Sequence, residues 1–205
     1  MARLPAVDLP RRRALGAGAL LGLSTSLVTG LATGLTIGPR SALAAPAAGR
    51  PDEVSAALPA AQLLGTATMR FLGWRVYDAR LWVEPGFSPQ RFDGLGFALE
   101  LEYARKLDGM AIAKRSVEEM QRQGPMAEAQ AERWRAAMVQ AFPDVAAGDR
   151  ITGLHLAAGG TRFFHNARLT QQIDGQAFAQ RFFGIWLSPA TSEPALRRQL
   201  LGPLA

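Results

Sequence analysis

The chain contains no cysteine, which excludes disulfides, thiolate metal sites and cysteine nucleophiles together. Histidine is almost as scarce. His155 and His165 are the only two, and neither belongs to an HxH or HExxH pattern, so no metal ligand set is expected. No serine stands in a GxSxG elbow. Gly159-Gly160 and Gly94-Leu95-Gly96 lack the strand–helix setting and the further glycines of a phosphate-binding loop. Glu118 and Glu119 are adjacent on a helical pattern, so their side chains diverge by about 100° and form no dyad. Local motifs name no reaction, leave the catalytic residues unknown and call for no cofactor.

Acids are the minority charge, with 17 Asp and Glu against 23 Lys and Arg and a net charge of +6. Much of the excess sits at the start. Arg11-Arg12-Arg13 opens a charge-free Gly/Ala/Leu stretch over residues 14–38, followed by Pro39, Arg40 and the small residues Ala42, Ala44 and Ala45. This is the layout of a twin-arginine export signal over residues 1–44, with cleavage between Ala44 and Ala45. A retained inner-membrane anchor is the alternative, since about 20 apolar residues span a bilayer. Six glycines at 16, 18, 22, 30, 34 and 38 argue for a poor helix. Either way the remainder belongs in the periplasm. The leader carries five arginines against Asp8, which leaves a charge of only +2 on the rest. No basic run with interleaved aromatics survives there, so nucleic acid is not expected as a partner.

Residues 45–60 are rich in Ala, Pro and Gly and read as a flexible spacer. Order is expected from about residue 61. Residues 66–72 and 74–84 are strand-like and separated by Gly73. Residues 97–106 alternate, with Phe97, Leu99, Leu101 and Tyr103 on one face, as in a half-buried strand. The period then changes. Met110, Ala113, Val117 and Met120 mark one helical face, and Ala127, Ala131, Trp134, Met138 and Phe142 mark a second, with Gly124-Pro125 between. Residues 150–157 and 161–173 form a hairpin across Ala158-Gly159-Gly160. Asp174 is placed to cap a helix with Phe178 and Phe182 facing inward, and Glu193-Pro194 opens a last short helix ended by Gly202-Pro203. The order of elements predicts an α+β fold, a mainly antiparallel sheet with helices on one side.

Gly73-Trp74-Arg75-Val76-Tyr77-Asp78-Ala79-Arg80-Leu81-Trp82 resembles the second-strand signature of bacterial chalcone isomerase-like proteins. Leu99-Glu100-Leu101-Glu102-Tyr103 before Gly109-Met110-Ala111-Ile112-Ala113, and Gly148-Asp149-Arg150-Ile151 at a strand start, add to the likeness. So does Phe182-Phe183-Gly184-Ile185-Trp186-Leu187-Ser188, followed by Leu196 and Leu200-Leu201-Gly202. The likeness covers about residues 61–203. It implies an open-faced β-sandwich, with a large antiparallel sheet and helices layered on one face around an apolar cleft.

The resemblance also bears on activity. The plant enzymes close a chalcone to a flavanone using a helix tyrosine and asparagine, among other groups. Counted from Gly109, those positions fall at Ile112 and Glu119, which removes the hydroxyl that would support enolate-like charge. Other plant relatives bind fatty acids, holding the carboxylate with an arginine and a tyrosine. Arg70, Tyr77 and Tyr103 are the counterparts this implies, with Lys114 and Arg115 read as solvated. The expected function is an exported, non-catalytic domain that binds a small apolar or fatty-acid-like ligand. An intramolecular lyase on another substrate and a structural partner in an envelope complex are the alternatives. A protein partner is not identified, and no membrane span is expected once the leader is removed.

Overall fold

The computed structural model describes residues 49–91 and 94–205. The expected leader and its cleavage site at Ala44 and Ala45 lie outside the described residues. Among these residues six strands form one sheet, β1 (Gln62–Phe71), β2 (Trp74–Val83), β3 (Phe97–Tyr103), β4 (Arg150–His155), β5 (Thr161–His165) and β6 (Arg168–Ile173). They lie in sequence order, and each neighbouring pair is antiparallel. Helices α2 (Gly109–Arg122) and α3 (Glu128–Ala141) are inserted between β3 and β4, and α4 (Gln176–Leu187) and α5 (Pro194–Leu201) follow β6. The α+β expectation holds.

One sheet face carries Ala67, Ala79, Leu81, Phe97, Leu99, Leu101, Ile151 and Phe163. Against it pack Ala113, Val117 and Met120 of α2, Met138 of α3, Phe178, Phe182 and Phe183 of α4, and Leu200 of α5. The aromatics stack and cross at close range, with Phe97 4.7 Å from Phe183 and Phe163 4.9 Å from Phe182 between ring centroids. Such edge-on pairs add to the area they bury. Asp108 caps α2 by accepting from Ala111 N at 2.8 Å, and Asp144 accepts from Gly109 N at 2.9 Å. Arg181 of α4 donates to the carbonyls of Met120, Gly124 and Pro125, tying the α2–α3 turn to the helix beneath it. The α2 stripe differs from expectation at one end, since Met110 is exposed.

Residues 45–60 are not a spacer throughout. A short helix, α1 (Asp52–Ala57), packs on the opposite sheet face, where Val54, Leu58 and Ala61 meet Trp82, Ala98 and Leu154. Arg50 fixes its ends by donating to Ser55 Oγ and to the carbonyls of Pro59 and Ala61. This cover explains a second departure. Strand β3 is buried on both faces rather than one, so the alternating Glu100 lies fully inside.

Two turns also differ from the sequence reading. The run 161–173 is broken by Asn166 and Ala167, both at positive φ, the geometry of a tight two-residue hairpin. Gly175, not Asp174, precedes α4, and Asp174 instead accepts from Gln172 Nε2.

Candidate ligand site

Tyr77 and Tyr103 are paired residues of β2 and β3, so their side chains stand together on the helix-side face. The rings meet edge-on with centroids 6.0 Å apart. Trp186 of α4 donates its indole N–H to Tyr77 Oη at 3.0 Å, which occupies one acceptor site and leaves the phenolic proton free to donate. Among the described residues, neither tyrosine O–H donates to a protein acceptor. Burial pushes the Tyr77 hydroxyl up to about 12; the Trp186 bond and Arg115 oppose the shift, and Glu193 and Glu119 reinforce it. Burial also raises Tyr103, with a further contribution from Tyr77. Both hydroxyls therefore stay protonated over the physiological range and act as hydrogen-bond donors.

Helix α2 packs into the same core cluster as this pair. Ile112 is half-buried against the core, and Ser116 Oγ returns its bond to the Ile112 carbonyl at 2.9 Å. Glu119 is buried and held by Arg115, one turn earlier, and by Arg122 at 3.5 Å. Arg115 also reaches Glu118 at 3.3 Å. The two positions at which the resemblance places tyrosine and asparagine thus carry a hydrocarbon and a carboxylate already bound to arginine. Neither supplies a free donor to a developing enolate.

Of the three residues expected to hold a ligand, the structure brings together two. Arg70 is apart from them. It lies at the exposed end of the β1–β2 hairpin, and its guanidinium reaches only the Gly73 carbonyl, at 3.5 Å. Alternation puts it on the same face as Thr68, whose hydroxyl donates to Asp78, and so opposite to Met69 and Tyr77. The residue that orients the phenol is Trp186, while Arg115, exposed and paired with Glu118 and Glu119, acts on the Tyr77 hydroxyl through its charge. The sequence signal for Arg115 was its four-residue spacing to Glu119 on the α2 face that also carries Ile112.

His155 is fully buried, stacked on Phe97 at 4.8 Å, with Nδ1 3.2 Å from the Leu95 carbonyl. His165 Nε2 lies 3.7 Å from Asp149. Among the described residues no group of three or more His, Cys, Asp or Glu side chains could hold a metal ion. On the α1 side, Glu100 accepts from Arg80 at 2.8 Å and from Trp82 Nε1 at 3.0 Å, and Arg80 also donates to Glu102 at 2.9 Å. Thr152 donates to the buried Glu53 at 2.7 Å. These polar groups pair with one another under α1, except Glu53 Oε2, which is buried without a hydrogen-bond partner, and they face away from the tyrosines. Two surface grooves, of about 580 and 630 Å³, run between α2 and α3 and between α3 and α4. Neither is lined by Arg70, Tyr77 or Tyr103.

An antiparallel sheet in sequence order, layered by helices on one face, defines a fold class. Residues 51–202 match the model of the chalcone isomerase-like family. The chain belongs to that family. It is 26% identical over 141 residues to an uncharacterized protein of Haemophilus influenzae, covering 69% of this chain and 68% of that protein. In structure it is similar to the fatty-acid binding protein AtFAP1 of Arabidopsis thaliana, with a TM-score of 0.55. That match covers 71% of this chain and 88% of the plant chain at 9% sequence identity, so the likeness is one of fold.

Proposed function

We propose that this domain is a non-catalytic carrier of a small amphipathic ligand, a fatty-acid-like carboxylate, exported by the twin-arginine route and working in the periplasm. The observation that carries this reading is the tyrosine pair. Two protonated tyrosines with unused donor capacity lie together on the helix-side face, within reach of the Arg115 charge, while Ile112 and Glu119 stand where the resemblance places an isomerase's tyrosine and asparagine. A carboxylate accepts from both O–H groups and gains charge assistance from the guanidinium. The chain of the ligand takes the apolar side, among residues such as Met69, Ile112 and Trp186. Admission requires α2 and α4 to part from β2 and β3, because Tyr103 is buried. That the fold's neighbour is a fatty-acid binding protein supports the carrier reading. In this reading Arg115 takes the place first expected of Arg70, and export rests on the Arg11-Arg12-Arg13 leader.

Thermal melting with sodium dodecanoate tests it. A ligand at about one hundred times its Kd adds roughly 2.7 kcal/mol, which for a domain of this size raises the Tm by about 5–10 °C. Tyr77→Phe and Arg115→Gln should each reduce the rise, and dodecanol should give less than dodecanoate. No rise with any fatty acid, or loss of chalcone absorbance on mixing with the protein, would overturn the proposal.

A further inference from the structure

The β1–β2 hairpin ends in apolar side chains that the core does not use. Phe71, Leu72 and Trp74 are 63, 83 and 71% exposed. Phe71 and Trp74 face each other across the hairpin as its last paired residues, just beyond Met69 and Tyr77. The connecting residues Leu72 and Gly73 both have positive φ, 49° and 82°. That two-residue turn favours asparagine or glycine at its first position. A leucine there is disfavoured by its Cβ, and its exposure returns no burial in exchange. Neither local conformation nor packing accounts for the choice.

The unpaired charges around the tip are of one sign. Arg70 is exposed and its guanidinium makes no ion pair among the described residues. Ala104 N donates to the Val76 carbonyl at 2.9 Å, which brings the end of β3 alongside the hairpin, and the next two residues are the exposed Arg105 and Lys106. The nearby acids are engaged. Asp78 is held by Arg75 and Thr68, and Asp108 caps α2. An aromatic and aliphatic tip ringed by free cations is suited to a surface that is apolar within and anionic without. A second copy of the same tip would bring like charges together.

We propose that this hairpin docks the protein on an anionic phospholipid surface, with Phe71 and Trp74 at headgroup depth, Leu72 at the acyl boundary, and Arg70, Arg105 and Lys106 on the phosphates. The proposal stands whether or not the tyrosine pair holds a carboxylate.

Because the chain has no cysteine, a Leu72→Cys variant of the full chain carries a single environment-sensitive fluorophore at the tip. Ala158→Cys, in the exposed turn between β4 and β5 at the other end of the sheet, carries the same probe as a control. Each is mixed with vesicles of phosphatidylglycerol and phosphatidylcholine, and with phosphatidylcholine alone. The emission at position 72 should shift to the blue and brighten on the anionic vesicles, while position 158 stays unchanged. Arg70→Gln and Lys106→Gln should each weaken partition roughly fivefold. Phe71→Ser with Trp74→Ser should abolish the response at position 72 while the melting curve stays cooperative. An equal response at positions 72 and 158, no response at 72 on either vesicle, or an unchanged response in the double serine variant would overturn the proposal. So would a response to protein concentration without vesicles, which would make the tip a contact between copies. Dodecanoate-induced melting is read separately, so failure of either proposal is told apart from failure of the other.

Discussion

The chain has only two tyrosines, Tyr77 and Tyr103, and both are held protonated by the same buried setting. Alkaline titration therefore reports on the candidate site alone. In the unfolded chain each phenol titrates near ~10. In the fold Tyr77 is pushed up to about 12 by burial, and Tyr103 is raised by the same cause. At a pH of about 11 a free phenol is roughly nine-tenths ionised, whereas Tyr77 should be only about one-tenth ionised. The linkage has a definite sign. Between the two pKa values the native state binds more protons than the unfolded state, so stability falls as pH rises. Each contribution is fully present below the unfolded pKa near ~10 and is lost as the pH passes the folded one. From a pH of about 9 to about 11, Tyr77 alone should cost roughly 1.4 kcal/mol, and Tyr103 should add a loss of the same sign. The assay is near-ultraviolet tyrosinate absorbance recorded with circular dichroism on the same sample. Tyrosinate should appear late, or in one step with unfolding. An ordinary transition near pH ~10 in either tyrosine, with the native dichroism intact, would refute the placement of these hydroxyls.

Three substitutions probe other parts of the structure. Glu100→Gln keeps the side-chain size but sets an amide N–H₂ against Arg80 and Trp82 Nε1. Urea denaturation should show a loss of about 3 kcal/mol, as expected when one partner of a buried ion pair is removed, and a loss under ~0.5 kcal/mol would contradict the buried network. Gly65→Ala drives a Cβ into the Leu200 and Gln199 carbonyls of α5; backbone cannot yield cheaply there, and a cost of roughly 1–3 kcal/mol is expected in the same assay. Leu72→Asn restores the residue preferred at the first position of its turn. It should stabilise the domain by up to about 1 kcal/mol while weakening vesicle binding, a pair of opposite changes that a purely structural tip would not produce.

Much of the architecture was legible because long periodic segments dominate it. The alternation of Phe97, Leu99, Leu101 and Tyr103 and the stripes through Val117 and Met138 translate directly into β3, α2 and α3. The β1–β2 turn was marked by Gly73. What escaped had weak local signals. Helix α1 is six residues long with Val54 as its apolar anchor, too short for a period to show. The turn at Asn166-Ala167 lacks the glycine that usually announces a tight hairpin. The alternation of Glu100 by itself suggests a solvent-facing side to β3. Its burial depends on α1, Arg80 and Trp82, which come from elsewhere in the chain.

The site was legible in half. Tyr77 and Tyr103 were named from the family's pattern, but that they face each other depends on the β2–β3 register, which no single segment reveals. Arg70 was placed with them because it precedes Tyr77 on the neighbouring strand. The parity of β1 puts it on the other face, with Thr68. Arg115 is exposed, as its place on the charged side of α2 suggests, and pairs with Glu118 and Glu119 of its own helix.

The central claim is that the tyrosine pair holds an amphipathic carboxylate and does not transform it. Native mass spectrometry of the purified full chain with added dodecanoate tests this most directly. The account predicts a one-to-one adduct of unaltered ligand mass that is greatly reduced in Tyr77→Phe and in Arg115→Gln. A spectrum with no adduct, or one whose adduct persists undiminished in both variants, would contradict it.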